Sequence, residues 1–115
     1  MKEIKAIVKE NMLSDVIWAL HQVEGLTGVT MTEVFGYGRS KAKNSEDKVT
    51  FASVEAVPRI KLEIVCSDNL VNTVVSTIQK NAHTGLRGDG KIFVSEISDS
   101  IRIGTNERGE NTIQI

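Results

Sequence analysis

The chain has 115 residues, with 14 basic and 15 acidic side chains and a net charge of −1; that length suits one domain, and the balanced charge argues against nucleic acid or a membrane surface as partner. Aromatics make up 4% of the residues, too few for base-stacking platforms, and the single cysteine, Cys66, excludes an internal disulfide and fits a reducing compartment. The N-terminus has no apolar signal core and no apolar run could span a bilayer, so a soluble, cytoplasmic protein is expected.

Ile4 to Val8 alternates with charged Lys5 and Lys9, which is strand periodicity. Leu13, Val16, Ile17, Leu20 and Val23 then fall at helical spacing, with Ser14 and Asp15 as candidate caps, so an amphipathic helix is expected from about Leu13 to Glu24. Gly25 and Gly28 end it. The β-branched run Val29 to Phe35 reads as a second strand. From Gly36 to about Val57 the apolar periodicity is lost, and Ala42 to Lys48 is polar and charged. A stretch that long without clear structure reads as a recognition loop, with a long hairpin lacking a partner as the alternative.

Pro58 restarts order. Ile60, Leu62, Ile64 and Cys66 alternate with Arg59, Lys61 and Glu63 as a third strand. Ser67 and Asp68 are candidate caps for a second helix with the stripe Leu70, Val71, Val74, Val75 and Ile78, ending near Asn81. A glycine loop follows, then a fourth strand from Lys91 to Ile97, and a tail from Arg102 to Ile115 that leaves room for a short last strand. The order is a split repeat, the ferredoxin-like βαββαβ pattern of the α+β class. Two helices cover only one face of a four-stranded sheet, yet Ile7, Phe93 and Ile97 oppose the other apolar residues of their strands. A homo-oligomer that buries the helix-free face is therefore expected.

The most informative stretch is Thr84-Gly85-Leu86-Arg87-Gly88-Asp89-Gly90-Lys91-Ile92-Phe93-Val94. Glycines permit close backbone approach, and successive N–H groups in such a turn make an anion-binding concavity. Gly85 to Lys91 superficially matches a P-loop, but Ile92 stands where Ser or Thr would hold magnesium, and the loop leads from a helix into a strand, the reverse of a P-loop. A plain glycine connection is the alternative that the loop alone leaves open. Elsewhere His21 reads as a surface residue, His83 as a helix-end residue and Cys66 as packing. No metal cluster or assembled nucleophile–base pair is evident, so neither catalytic nor metal residues are assigned.

This stretch resembles the C-terminal signature of the P-II signal-transduction proteins, the nitrogen-regulatory family. Gly28-Val29-Thr30, Glu33-Val34, Gly36-Tyr37-Gly38-Arg39, Pro58-Arg59-Ile60-Lys61-Leu62-Glu63 and Ile101-Arg102-Ile103 extend the resemblance over nearly the whole chain. It implies one domain over 1–115, assembled as a homotrimer, with a T-loop at about 37–57, a B-loop at about 83–91 and a C-terminal loop at about 102–115. It implies ATP or ADP (or AMP) bound in the clefts between subunits. Gly88, Asp89, Gly90 and Lys91 match phosphate-contacting positions; Arg102 matches an arginine from the neighbouring subunit. Gly36, Tyr37, Gly38 and Arg39 match the T-loop base, and Ile7, Thr30 and Val65 match the adenine pocket.

Departures matter as much. Ala52 stands at the T-loop tyrosine that is uridylylated in many members, which argues against that control, while Thr50 matches a serine phosphorylated in some relatives. Ser40 replaces the glutamine that helps hold magnesium and 2-oxoglutarate, and Arg59 stands where lysine is usual. With Lys41, these form the candidate effector site, and binding of magnesium and 2-oxoglutarate is in doubt. Gly104 replaces a second phosphate-facing arginine. The implied function is a nucleotide-responsive regulator, not an enzyme, whose T-loop docks on a membrane transporter or metabolic enzyme. The alternatives are a slow ATP/ADP hydrolase in the same cleft, and a regulator of metal or other transport that lacks 2-oxoglutarate sensing.

Overall fold

Alternation of apolar and charged side chains produces a sheet with one dry face. The computed structural model describes residues 1–37 and 56–114. Its strands are β1 (Lys2–Val8), β2 (Thr30–Gly36), β3 (Val57–Cys66) and β4 (Lys91–Glu96), and its helices are α1 (Leu13–His21) and α2 (Val71–Ala82). The sheet order is β2-β3-β1-β4, with every neighbouring pair antiparallel. Two helices over a four-stranded antiparallel sheet in this order make the ferredoxin-like α+β architecture expected from the sequence.

β1 and β3 form the centre. Ile4, Ala6 and Val8 alternate inward from β1, and Ile60, Leu62, Ile64 and Cys66 from β3. Val16 and Leu20 of α1, with Val71, Val74, Ile78 and Ala82 of α2, close over them. The α2 sequence is rich in β-branched residues, which have weak helix propensity. Its Thr77 hydroxyl even donates back to the Thr73 carbonyl at 2.7 Å. Burial of one apolar stripe, rather than local preference, keeps it helical.

α1 is shorter than its apolar pattern suggests. The chain tightens past His21, with Val23 N–H donating to the Leu20 carbonyl at 3.0 Å, and it turns at Gly25 with φ 89°. The capping expectations fail at both helices. A 3₁₀ turn precedes each one, at Glu10–Met12 and Asp68–Leu70, so the N-caps become Met12 and Leu70 without side-chain bonds. Ser67 and Asp68 serve tertiary contacts instead. Asp68 accepts from the Met1 ammonium at 3.0 Å, and Ser67 donates to Glu110 at 3.1 Å. The ammonium holds the Asp68 carboxyl below its ordinary value. The tail has no last strand among the described residues. It makes an isolated bridge between Ile101 and Arg108 and then a 3₁₀ helix, Gly109–Ile113, which buries Ile113.

The helix-free face differs from the apolar surface expected there. Ile7, Val34, Val65 and Phe93 share it with Glu3, Lys5, Arg59, Lys61 and Glu63, and Lys61 pairs with Glu63 at 3.5 Å. Exposed apolar bulk concentrates at the two edge strands: Met31 and Phe35 on β2, Phe93 and Val94 on β4. No helix among the described residues is long and apolar enough to cross a membrane.

Leu62 is fully buried at the middle of β3. Leu62→Ala is expected to lower the unfolding free energy by about 2–5 kcal/mol in chemical denaturation. Trp18→Ser, at a position 70% exposed, is expected to stay within about 0.5 kcal/mol.

Candidate functional site

The link from α2 to β4 is built by three glycines and one carboxylate. Gly85, Gly88 and Gly90 adopt φ of 81°, 82° and 106°, a region other residues enter only with strain. Gly90 is the tightest. A Cβ there would lie 1.7 Å from the Ile7 carbonyl oxygen, so the loop can meet β1 only with no side chain between them. That contact fixes where β4 begins, with Lys91 opposite Ile7.

Asp89 turns inward and braces the loop. Its carboxylate accepts from the Thr84 hydroxyl, from Thr84 N–H at 2.8 Å and from Gly85 N–H at 3.3 Å. Lys9 Nζ lies 3.0 Å from the same carboxylate and 3.2 Å from Thr84 Oγ1. The Thr84 bonds, joined by Lys9 and Gly85, hold the Asp89 carboxyl far below the ordinary carboxylate range. Thr84 Oγ1 also accepts from Leu86 N–H at 3.1 Å. The N–H groups of Thr84, Gly85 and Leu86 are thereby occupied within the loop, and any backbone contact to an anion falls to its later part.

That later part borders a cleft of about 480 Å³, lined by Ile7, Gly36, Tyr37, Val57, Arg59, Gly88 to Lys91, and Phe93. The size is ordinary for a small-molecule site. Arg59 leans across it, with Nη2 3.4 Å from the Gly88 carbonyl and Nη1 2.9 Å from that of Pro58. Lys91 makes no ion pair among the described residues. With Asp89 committed to its own loop, Arg59 and Lys91 present positive charge to the opening, an arrangement suited to phosphate or carboxylate groups.

The structure thus gathers Ile7, Gly36, Tyr37, Arg59, Gly88, Asp89, Gly90 and Lys91 from four separate segments of chain. Thr30 and Val65 lie elsewhere. They line a second depression of about 420 Å³ with Glu3, Thr27, Gly28, Glu63 and Ile113. Arg102 borders neither, and its guanidinium donates to the carbonyls of Asn111 and Thr112 at 3.2 and 3.4 Å. Gly38, Arg39, Ser40, Lys41, Thr50 and Ala52, and all of the expected T-loop except its two ends, lie outside the described residues. No group of three or more His, Cys, Asp or Glu suited to a metal occurs among the described residues.

Three residues of this region escaped the sequence reading. Phe93 follows Lys91 at period two and so shares its face, a signal that was present. Val57 enters because β3 begins earlier than its alternation suggests. Lys9 has no local signal, because its partners at Thr84 and Asp89 are distant in the chain.

A family model described as "Nitrogen regulatory protein P-II" matches residues 1–107. The chain is 45% identical over 113 residues to "Nitrogen regulatory protein P-II 1" of Escherichia coli (strain K12). It is 44% and 42% identical to proteins described as "Nitrogen regulatory protein P-II" from Rhodospirillum rubrum and Azospirillum brasilense. Each alignment covers 98% of this chain and all of the relative.

Replacing Gly90 by alanine is expected to cost at least about 2 kcal/mol of stability, from strain at positive φ and the clash with Ile7, and to show as a lower denaturation midpoint. A carboxyl with a lowered folded value stabilises the fold above its unfolded value and loses that contribution as pH falls. The amide proton shifts of Thr84 and Gly85, which report the folded carboxylate, should therefore hold steady by NMR from neutral pH down through the ordinary carboxylate range and move only at still lower pH.

Proposed function

The chain belongs to the nitrogen regulatory protein P-II family, and from that premise we propose that it is a regulator that binds an adenine nucleotide between the subunits of a homotrimer and controls a partner through the segment 37–57. The observation that carries this reading is the cleft at the root of that segment. Gly36, Tyr37, Val57 and Arg59 come from its two ends, and Gly88 to Lys91 come from the glycine loop. An anion held by the loop also touches the base of the segment, so occupancy and the arrangement of 37–57 are coupled through shared atoms. A nucleotide can bias that arrangement only as far as it binds one state better than another.

The division of the adenine-pocket positions supports an assembly. Ile7 lines the cleft, whereas Thr30 and Val65 line the separate depression on the same chain. A second copy presenting its own Thr30 and Val65 to the Ile7 cleft unites the set, and Arg102 joins it from a neighbour in the same way. The apolar edge strands, with Met31 and Phe35 at one side and Phe93 and Val94 at the other, give such neighbours surface to bury.

The cleft favours regulation over hydrolysis. Asp89 is its only carboxylate among the described lining residues, and it is braced by Thr84, Gly85 and Lys9 rather than free to activate water. The substitutions in the segment point to a regulator that has left part of the usual nitrogen signal behind. Ala52 cannot be uridylylated, and Ser40 lacks the amide carbonyl that would help hold magnesium and 2-oxoglutarate. The partner is a membrane transporter or a metabolic enzyme, a transporter of metal or other solutes included.

Calorimetric titration of the folded oligomer with ATP, ADP and AMP is expected to show binding by at least one of them. Lys91→Ala should weaken that binding about tenfold or more through loss of a charge-assisted contact. Absence of binding by all three to a folded oligomer would sink this reading.

A further inference from the structure

We propose that Lys9 is a positioning residue of the phosphate loop: without touching ligand, its ammonium seats and neutralises the Asp89 carboxylate so that the backbone from Gly88 to Lys91 faces the cleft. The inference rests on the nucleotide-binding reading above and adds a residue to it that lies outside the cleft lining. Lys9 stands directly after β1 and reaches beneath the loop, where its Cε is 3.9 Å from the point a Gly88 Cβ would occupy.

Its ammonium meets both Asp89 Oδ1 at 3.0 Å and Thr84 Oγ1 at 3.2 Å. The two side chains of the pair are only 17% and 23% exposed, so solvent screens this pair less than an open surface ion pair. Asp89 has neutral donors in Thr84 and Gly85, but Lys9 is the cation beside it. Two consequences follow from removing that cation. The carboxylate loses a fixed anchor, so the Thr84–Asp89 brace loosens. It also becomes an uncompensated negative charge at the rim of a cleft meant for anions, where like charges repel. Lys9 therefore shapes the loop and removes a charge that opposes phosphate, while Arg59 and Lys91 supply attraction from the cleft itself.

The pairing also explains why an acidic residue is tolerated between two phosphate-facing glycines. Asp89 works as the internal brace of the turn, and its contribution to a ligand is its backbone N–H.

The test is a thermodynamic cycle of Lys9→Met and Asp89→Asn, with Lys9→Arg as the conservative control, read by ATP calorimetry and by amide exchange at Thr84 and Gly85 in the ligand-free protein. Lys9→Met should weaken ATP binding about tenfold and speed exchange at both amides, and Lys9→Arg should restore most of both. In the Asp89→Asn background the same change should cost little more, because its partner charge is already gone. Melting temperatures followed in parallel separate a loop effect from general destabilisation. Wild-type exchange at Thr84 and Gly85 in Lys9→Met, or an equal loss in both backgrounds, would overturn the role given to Lys9. If the wild-type protein binds no adenine nucleotide, the functional reading falls, while the exchange measurement still decides whether Lys9 holds the loop.

Discussion

Where β4 enters the sheet, the backbone of Gly90 passes so near the Ile7 carbonyl that no side chain fits between them. This contact sets the register of β4 against β1 and directs Lys91 and Phe93 toward the helix-free face. It also sets the exit of the glycine loop, whose entry is fixed by the end of α2 at Ala82. Between two fixed ends, Asp89 draws Thr84 and Gly85 inward and leaves the later N–H groups for the cleft. The loop's shape is thus held by contacts within the protein itself.

The two faces of the sheet differ in character. The dry face carries the core of β1 and β3 under α1 and α2. The open face carries alternating charges with scattered apolar residues, Phe93 among them, while Met31, Phe35 and Val94 leave apolar surface on the helix side of the two edge strands. A surface of this kind does not drive indiscriminate association. Burying such a face would require partners for its charges. Ile7 is split from Thr30 and Val65 along the strands, because Ile7 lies opposite Lys61 and Lys91 whereas Val65 lies opposite Glu3 and Thr30 opposite Glu63.

Much of the fold was legible in the chain itself. Period-two alternation in Ile4–Val8 and Ile60–Cys66 marked the central strands, because those strands bury one face and wet the other. The stripe Val71, Val74, Ile78 marked α2 despite its β-branched content. The caps were misread for an equally physical reason. Ser67 and Asp68 have the right side chains for the start of a helix, but a 3₁₀ turn moved the helix start beyond them and distant groups, the Met1 ammonium and Glu110, took their bonds. A short final strand was misjudged because an isolated bridge at Ile101 and Arg108 and a 3₁₀ turn leave no regular period.

The glycine loop shows where the boundary lies. Sequence alone determined that Gly88 to Lys91 lies between a helix and a strand, that its glycines permit an unusual backbone, and that the chain resembles the P-II family. These properties are local, or sum over a pattern that survives without coordinates. Only the tertiary structure decided that Gly90 is indispensable against Ile7, that Asp89 points inward, that Lys9 is its counter-charge, and that Arg59 and Phe93 share the cleft. Each of these depends on which distant backbone atoms the sheet order brings together, and that order is set by burial of the core rather than by any residue of the loop.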